Sequence, residues 1–292
     1  MMMMKTWRLL TTQRNSFKDL KLDRLASSSS SKKKVFTVIP VEGEIISGFH
    51  SVRLALESTK RTFYKIYYCP KSARITSDIL ELADINNIAT IPVTWKMLNQ
   101  LSQKAPHKGV CADVSPLKQS AATLADDLND DKTRLWLLMC SIGDPQNLGA
   151  IIRTAYFLGI DDIFTCSPFD SSQTSSSLTP SVSRASAGVL EIWTPKVVYN
   201  PDDFLQKLSN ANWRIIGATS ATDFQSTKSP QQNSQNECKI LIVGNEGEGL
   251  PESITKYCND LLVIPPGRKL HPYVDSLNVS VATALLLQRL LV

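Results

Sequence analysis

Five short apolar runs, at residues 135–140, 163–166, 215–218, 240–243 and 261–264, punctuate the second half of the chain. None alternates polar with apolar positions, the pattern of strands buried on both faces of a parallel sheet. Helix-period segments lie between several of them, so this half predicts an α/β fold. Upstream, from Ile45, a turn at 47–50 precedes a helical run at 52–58, a β-rich run at 63–69, a helix around 77–86 and a strand near 91–93. That reads as a small α/β domain over 43–112. Residues 113–132, with five Asp, two Ser, one Asn and one Pro and little apolar periodicity, read as the linker to a larger domain over 133–292. The serine-laden stretch 167–177 and the polar stretch 226–236 read as surface loops.

Composition changes this picture mainly at the amino terminus. The 292 residues, enough for about two domains, carry 32 Lys+Arg against 27 Asp+Glu. Residues 1–34 hold nine of the basic and two of the acidic side chains, which leaves 23 basic and 25 acidic over the rest. The net positive charge therefore belongs to the leader, and any polyanion-binding surface elsewhere must be a local patch. Residues 1–18 contain Lys5, Arg8, Arg14 and Lys18, several hydroxyl side chains and no acid, the composition of a mitochondrial transit peptide. Ser27–Ser31 and Lys32–Lys34 extend it as a low-complexity joint. Asp19 and Asp23 weigh against a leader reaching residue 34, and a basic tail that touches RNA or nothing is the alternative.

The most apolar stretch, 280–292, is interrupted by Gln288 and Arg289 and falls short of the roughly 18 residues of a membrane span. Six cysteines without a C-x-x-C pair and three histidines without zinc spacing predict reduced thiols and no metal.

Chemistry concentrates after three of the apolar runs, where ligands of open α/β sheets bind. The first is followed by Asp144-Pro145-Gln146-Asn147-Leu148-Gly149-Ala150-Ile151-Ile152-Arg153-Thr154-Ala155, a polar turn entering a helix, whose first turns favour anions. Taken singly, Asn147 reads as an N-cap and Arg153 as a surface charge. The fourth run is followed by Gly244-Asn245-Glu246-Gly247-Glu248-Gly249-Leu250. Its glycines permit close backbone approach to a flat ligand, and its two acids disfavour a phosphate cradle; a tight loop capped into the next helix explains it equally well. The fifth run leads through Pro265-Pro266-Gly267 to Ser276-Leu277-Asn278-Val279-Ser280-Val281-Ala282, where Ser276 reads as the cap of the last helix and Asn278 as an amide aimed into the enclosed space.

These three segments together resemble the motifs of the SpoU (TrmH-like) branch of the SPOUT RNA methyltransferases. Further similarity lies in Ser183-Arg184-Ala185-Ser186-Ala187-Gly188, in Gly48-Phe49-His50-Ser51-Val52 and in His107-Lys108-Gly109-Val110, so the resemblance spans residues 43–292. It implies a carboxy-terminal parallel sheet closed by a trefoil knot, an amino-terminal RNA substrate-binding domain, S-adenosyl-L-methionine as cofactor, a homodimer and no membrane association. With the leader, the chain is most similar to the mitochondrial subgroup, which methylates the 2′-oxygen of a guanosine in large-subunit ribosomal RNA in the matrix. A long 265–275 segment also fits that subgroup, whereas Pro266 departs from the family's Ile-Pro-Met turn.

Carried over by motif, Arg153 is the catalytic arginine, with Asn147, Glu246, Ser276 and Asn278 as its polar surroundings. Gly244, Ile264, Leu277, Thr219 and Asn245 form the cofactor pocket. His50, Arg53, Lys104, His107 and Lys108 are candidate RNA contacts. A tRNA 2′-O-methyltransferase and a non-catalytic RNA-binding assembly factor are the competing functions; the second predicts damaged motifs, and the motif side chains are all present.

Overall fold

In the second half of the chain, apolar strands stack side by side with helices on both faces. The computed structural model describes residues 39–124, 132–166, 178–220, 237–245, 247, 249–271, 273 and 276–292, with backbone only for 73–76. The leader and the predicted loops at 167–177 and 226–236 lie outside the described residues.

The first sheet is built from β1 (Glu44–Ser47), β2 (Phe63–Tyr68), β3 (Thr90–Pro92) and β4 (Val110–Val114), with helices α1 (Phe49–Ser58), α2 (Ala73–Ile85) and α3 (Trp95–Leu101) between them. Its order is β1-β4-β2-β3; β4 runs antiparallel to both neighbours and β3 parallel to β2. The apolar pattern does not mark β1, α3 or β4. β1 has four residues, α3 seven, and β4 (VCADV) carries an aspartate, Asp113, next to its last residue. That aspartate is buried because its carboxylate accepts the backbone N–H groups of Glu42 and Gly43 at 2.8 and 2.9 Å.

The second sheet contains β5 (Leu135–Cys140), β6 (Asp162–Cys166), β7 (Lys196–Val198), β8 (Arg214–Ala218), β9 (Lys239–Val243) and β10 (Asp260–Leu262). They are parallel throughout, in the order β10-β8-β9-β5-β6-β7. β5 is buried at every position: Leu135, Leu137 and Met139 enter one core, Trp136, Leu138 and Cys140 the other. Period-two alternation between two apolar layers is why its sequence reads as a continuous run.

The first layer is covered by α4 (Pro145–Leu158), α5 (Pro180–Ala185), α6 (Val189–Ile192) and α9 (Val279–Leu291), the second by α7 (Pro201–Asn210) and α8 (Glu252–Thr255). In the second layer Trp136 packs between Phe164 and Trp213, with ring centroids 5.0 and 4.0 Å away. Edge strand β7, only three residues long and directly preceded by a proline, is too short for periodicity to reveal. β10 ends at Leu262, two residues before the apolar run does: Leu262 O accepts the last bond, from Thr219 N at 3.0 Å, and Pro265 and Pro266 have no N–H to extend the ladder.

Residues Pro40–Val292 form one compact unit. Part of the linker segment runs along the β7 edge: Ala122 N donates to Val197 O, Val197 N donates to Ser120 O, and Leu124 is buried in the second core. Arg61, which precedes β2, meets Glu191 of α6 in a two-pronged ion pair, Nε to Oε2 at 2.6 Å and Nη2 to Oε1 at 3.1 Å, with both side chains fully buried. Its remaining guanidinium nitrogen donates to Glu44 and to Ser115 O. Burial alone would push the Arg61 pKa down; the carboxylates of Glu191 and Glu44 outweigh it and hold the guanidinium above its ordinary value. No described helix is long and apolar enough to cross a membrane.

Candidate active site at the carboxyl ends of the second sheet

Helix α4 starts shortly after β5. Asp144 caps it, its Oδ1 accepting Gln146 N–H at 2.9 Å, and Pro145 occupies the first helical position. Asn147 is therefore no cap but a buried residue of the first turn. Gly149 lets α4 approach α5 closely: a Cβ there would stand 2.5 Å from the Ala185 Cβ and 2.8 Å from Ser186 N and Val182 O.

The cap of α9 is Asn278 rather than Ser276, because the helix opens at Val279. Asn278 Oδ1 accepts Ser280 N–H at 3.0 Å and Ser280 Oγ–H at 2.6 Å, and its amide nitrogen turns toward α4. There Nδ2 donates to Asn147 Oδ1 at 3.0 Å, so the first and third motifs, 131 residues apart, close on each other. Arg153 lies six residues beyond Asn147, about 9 Å along the helix axis. It is exposed and, among the described residues, has no hydrogen bond or ion pair. Ser276 is exposed two residues before the cap, and Glu246 lies outside the described residues.

The glycine-rich turn after β9 is folded on itself. Gly249 N donates to Asn245 O at 2.9 Å and Gly247 N to Asn245 Oδ1 at 2.8 Å. Only glycine fits at 244, where a Cβ would stand 2.3 Å from Gly249 O. Asn245 Nδ2 then donates to Ser141 O at 3.2 Å, tying this turn to the end of β5. Ser141, in the left-handed region at φ 54°, carries no sequence signal for that role. Thr219 follows β8 and is bonded to Leu262; Ile264 follows β10; Leu277, half exposed, precedes α9. Since β10, β8, β9 and β5 are consecutive neighbours, the candidate cofactor positions that follow β8, β9 and β10 stand at adjacent strand ends.

Among the candidate RNA contacts, His107 is a correction. It is buried against Trp95, its Nδ1 accepts Gly109 N–H at 3.0 Å and its Nε2 faces Asn99 Oδ1 at 3.2 Å; burial lowers its pKa, and it serves the fold. Arg53 is engaged by Glu57 and Asp78 at 2.9 and 2.7 Å, whereas His50, Lys104 and Lys108 are exposed. All six cysteines are free thiols. The Cys140 thiol is held well above its usual pKa by its bond with Cys166 and by burial, so it is no nucleophile at neutral pH. Among the described residues no group of three or more His, Cys, Asp and Glu side chains is placed to hold a metal ion.

Known proteins resemble this chain in sequence and in fold. Residues 134–288 match the model of the SpoU rRNA Methylase family, and residues 45–120 match the RNA 2′-O ribose methyltransferase substrate-binding family. The chain is 32% identical to the human "rRNA methyltransferase 1, mitochondrial" over 97% of its own length and 82% of the relative's. It is 30% identical to the 23S rRNA (guanosine-2′-O-)-methyltransferase RlmB of Neisseria meningitidis serogroup B, over 83% of this chain and 92% of that one. The crystal structure of the SpoU methyltransferase AviRb from Streptomyces viridochromogenes in complex with AdoMet shares the fold, with a TM-score of 0.64 at 19% identity over 85% of this chain and 88% of that chain. A family model covering more than half the chain, a relative matched nearly end to end, and motifs joined where the sheet ends all agree: the chain belongs to the SpoU rRNA methylase family.

Proposed function

We propose that this protein is an S-adenosyl-L-methionine-dependent RNA 2′-O-ribose methyltransferase that acts on a guanosine of mitochondrial large-subunit ribosomal RNA. The observation that carries this reading is the Asn278–Asn147 bond, which brings two separate motifs together on the helix that presents an unengaged arginine. Family membership and the mitochondrial and guanosine-methylating relatives support the substrate.

The residues present fit the cofactor. Gly249 and Gly267 face open space, where an added Cβ would meet nothing within 4 Å, while Gly244, Asn245, Thr219, Ile264 and Leu277 offer backbone polar groups, a neutral amide, a hydroxyl and apolar side chains. That set suits a flat adenosine and a sulfonium, and these five residues would hold them. When bound, the cofactor supplies an electrophilic methyl group.

The Arg153 guanidinium offers N–H donors in a fixed fork and no acceptor, so it is a clamp and polariser. Its planar fork binds a substrate phosphate and fixes the neighbouring 2′-hydroxyl, with that phosphate as the proton relay. Asn147, tied to Asn278, braces the helix that carries it, and Ser276 and Asn278 complete the polar wall; the motif assigns Glu246, with Asn147, to orienting Arg153 or the ribose.

The same reading assigns 1–34 to a mitochondrial transit peptide, 43–112 to RNA selection, 113–132 to the linker and 133–292 to a catalytic domain with a trefoil knot, working in the matrix. A homodimer is part of it, supported by the apolar side chains that α4 and α9 leave exposed: Phe157 on one, Val281 and Leu285 on the other.

The test incubates the full chain with tritiated S-adenosyl-L-methionine and unmethylated large-subunit ribosomal RNA transcripts. Methyl transfer by the wild type, lost in Arg153→Ala with cofactor affinity kept in calorimetry, supports the reading. Equal turnover in the variant removes Arg153 from the mechanism.

A further inference from the structure

The loop between β10 and α9 has a chemistry unlike the rest of this end of the sheet. Pro265 and Pro266 open it with fixed φ angles and no N–H groups, a stiff stem. Arg268 and Lys269 follow, exposed and in no ion pair among the described residues; Leu270 is partly buried; His271 and Tyr273 are exposed to solvent. Tyr273 is 92% exposed, its ring centroid lies 5.5 Å from that of His271 at an interplanar angle of 34°, and its N–H donates to His271 Nδ1 at 3.3 Å.

Two cations beside two neighbouring aromatic rings make up the surface by which proteins hold single-stranded nucleic acid: rings stack on bases, cations neutralise the backbone. Outside the leader the chain carries more acids than bases, so this small cationic group is a local departure, not part of a general basicity. Arg53 of the amino-terminal domain, by contrast, is neutralised by Glu57 and Asp78. Position adds the link to the reaction. Tyr273 is five residues from Asn278, a tether of at most about 18 Å, so whatever its ring holds lies within a few nucleotides of the ribose placed by Arg153.

We propose that the loop carrying Arg268, Lys269, His271 and Tyr273 is an RNA-contact element: Tyr273, buttressed by His271, stacks on an unpaired base flanking the methylated nucleotide, and Arg268 and Lys269 engage the adjoining phosphates. This rests on the methyltransferase reading for its substrate class and names a part of the substrate that the three motifs do not touch.

The experiment measures binding of a 12-nucleotide guanosine-containing single-stranded RNA, labelled with 2-aminopurine, to the full chain and to Tyr273→Ala, Tyr273→Phe and Arg268→Ala/Lys269→Ala. Cofactor affinity and melting temperature are recorded in parallel. Tyr273→Ala is expected to weaken RNA binding roughly ten- to a hundredfold and to abolish the stacking quench of 2-aminopurine, with Tyr273→Phe close to wild type and cofactor affinity unchanged. The double cation variant is expected to flatten the salt dependence of binding, by about 0.7 in log–log slope for each phosphate no longer neutralised. RNA affinity within twofold of wild type in Tyr273→Ala, with the quench retained, overturns the proposal. Weaker binding by Tyr273→Ala in a chain that transfers no methyl to any RNA would sink the methyltransferase reading and keep the loop as an RNA contact.

Discussion

Two arginines mark two regions built on opposite terms. At the junction of the amino-terminal sheet with α6, Arg61 is buried and engaged by Glu191, Glu44 and the Ser115 carbonyl. At the carboxyl ends of the second sheet, Arg153 sits on a rigid, well-capped helix and is engaged by no described residue. A buried charge is tolerable only when the fold itself satisfies it, so Arg61 is structural. A cation held on a stiff element with its donors open is preorganised for a ligand, and it costs little while it waits in water.

The largest effect should come from breaking the junction. Glu191→Ala leaves the Arg61 guanidinium buried without its main partner, and a loss of about 3–5 kcal/mol of unfolding free energy is expected in denaturant titrations. Arg153→Ala should do the reverse: an unchanged melting temperature with methyl transfer down roughly 10²–10³-fold, and only partial recovery in Arg153→Lys, whose ammonium lacks the planar fork. If Glu191→Ala proved as stable as wild type, or Arg153→Ala unfolded, the contrast between the two arginines would fail.

Asn278→Ala lies between these extremes. It removes the cap of α9 and the bond to Asn147, so about 1 kcal/mol of stability should go together with a larger share of activity, read by melting and by turnover on the same sample.

The smallest effect concerns pH. Burial lowers the folded-state pKa of His107, so only the unfolded chain gains a proton as pH first falls below the unfolded value of about 6.5. Stability is complete above that value and declines beneath it until the folded-state pKa is reached; His107→Gln should flatten this part of the pH–stability curve.

Much of the second sheet was legible because strands such as β5 lie between two apolar layers and need apolar residues at every position. β1 and β7 were not, since short edge strands owe their place to pairing partners distant in sequence, and β4, an inner strand, was hidden by Asp113, whose burial rests on the backbone N–H groups of Glu42 and Gly43. The site was legible as motifs but not as geometry. That Asn278 rather than Ser276 caps α9, and so reaches Asn147, depends on where the helix begins, which one sequence locates only to within a turn. The partners of Arg61 were hidden too, because Glu191 is 130 residues away and looks like any helix glutamate.

A map of ribose 2′-O-methylation across mitochondrial ribosomal and transfer RNAs, in cells with and without this protein, reads the proposed chemistry at its substrate. The prediction is loss of one 2′-O-methylguanosine from large-subunit ribosomal RNA, restored by the wild-type chain and not by Arg153→Ala. An unchanged map, or a loss confined to transfer RNA, would contradict it.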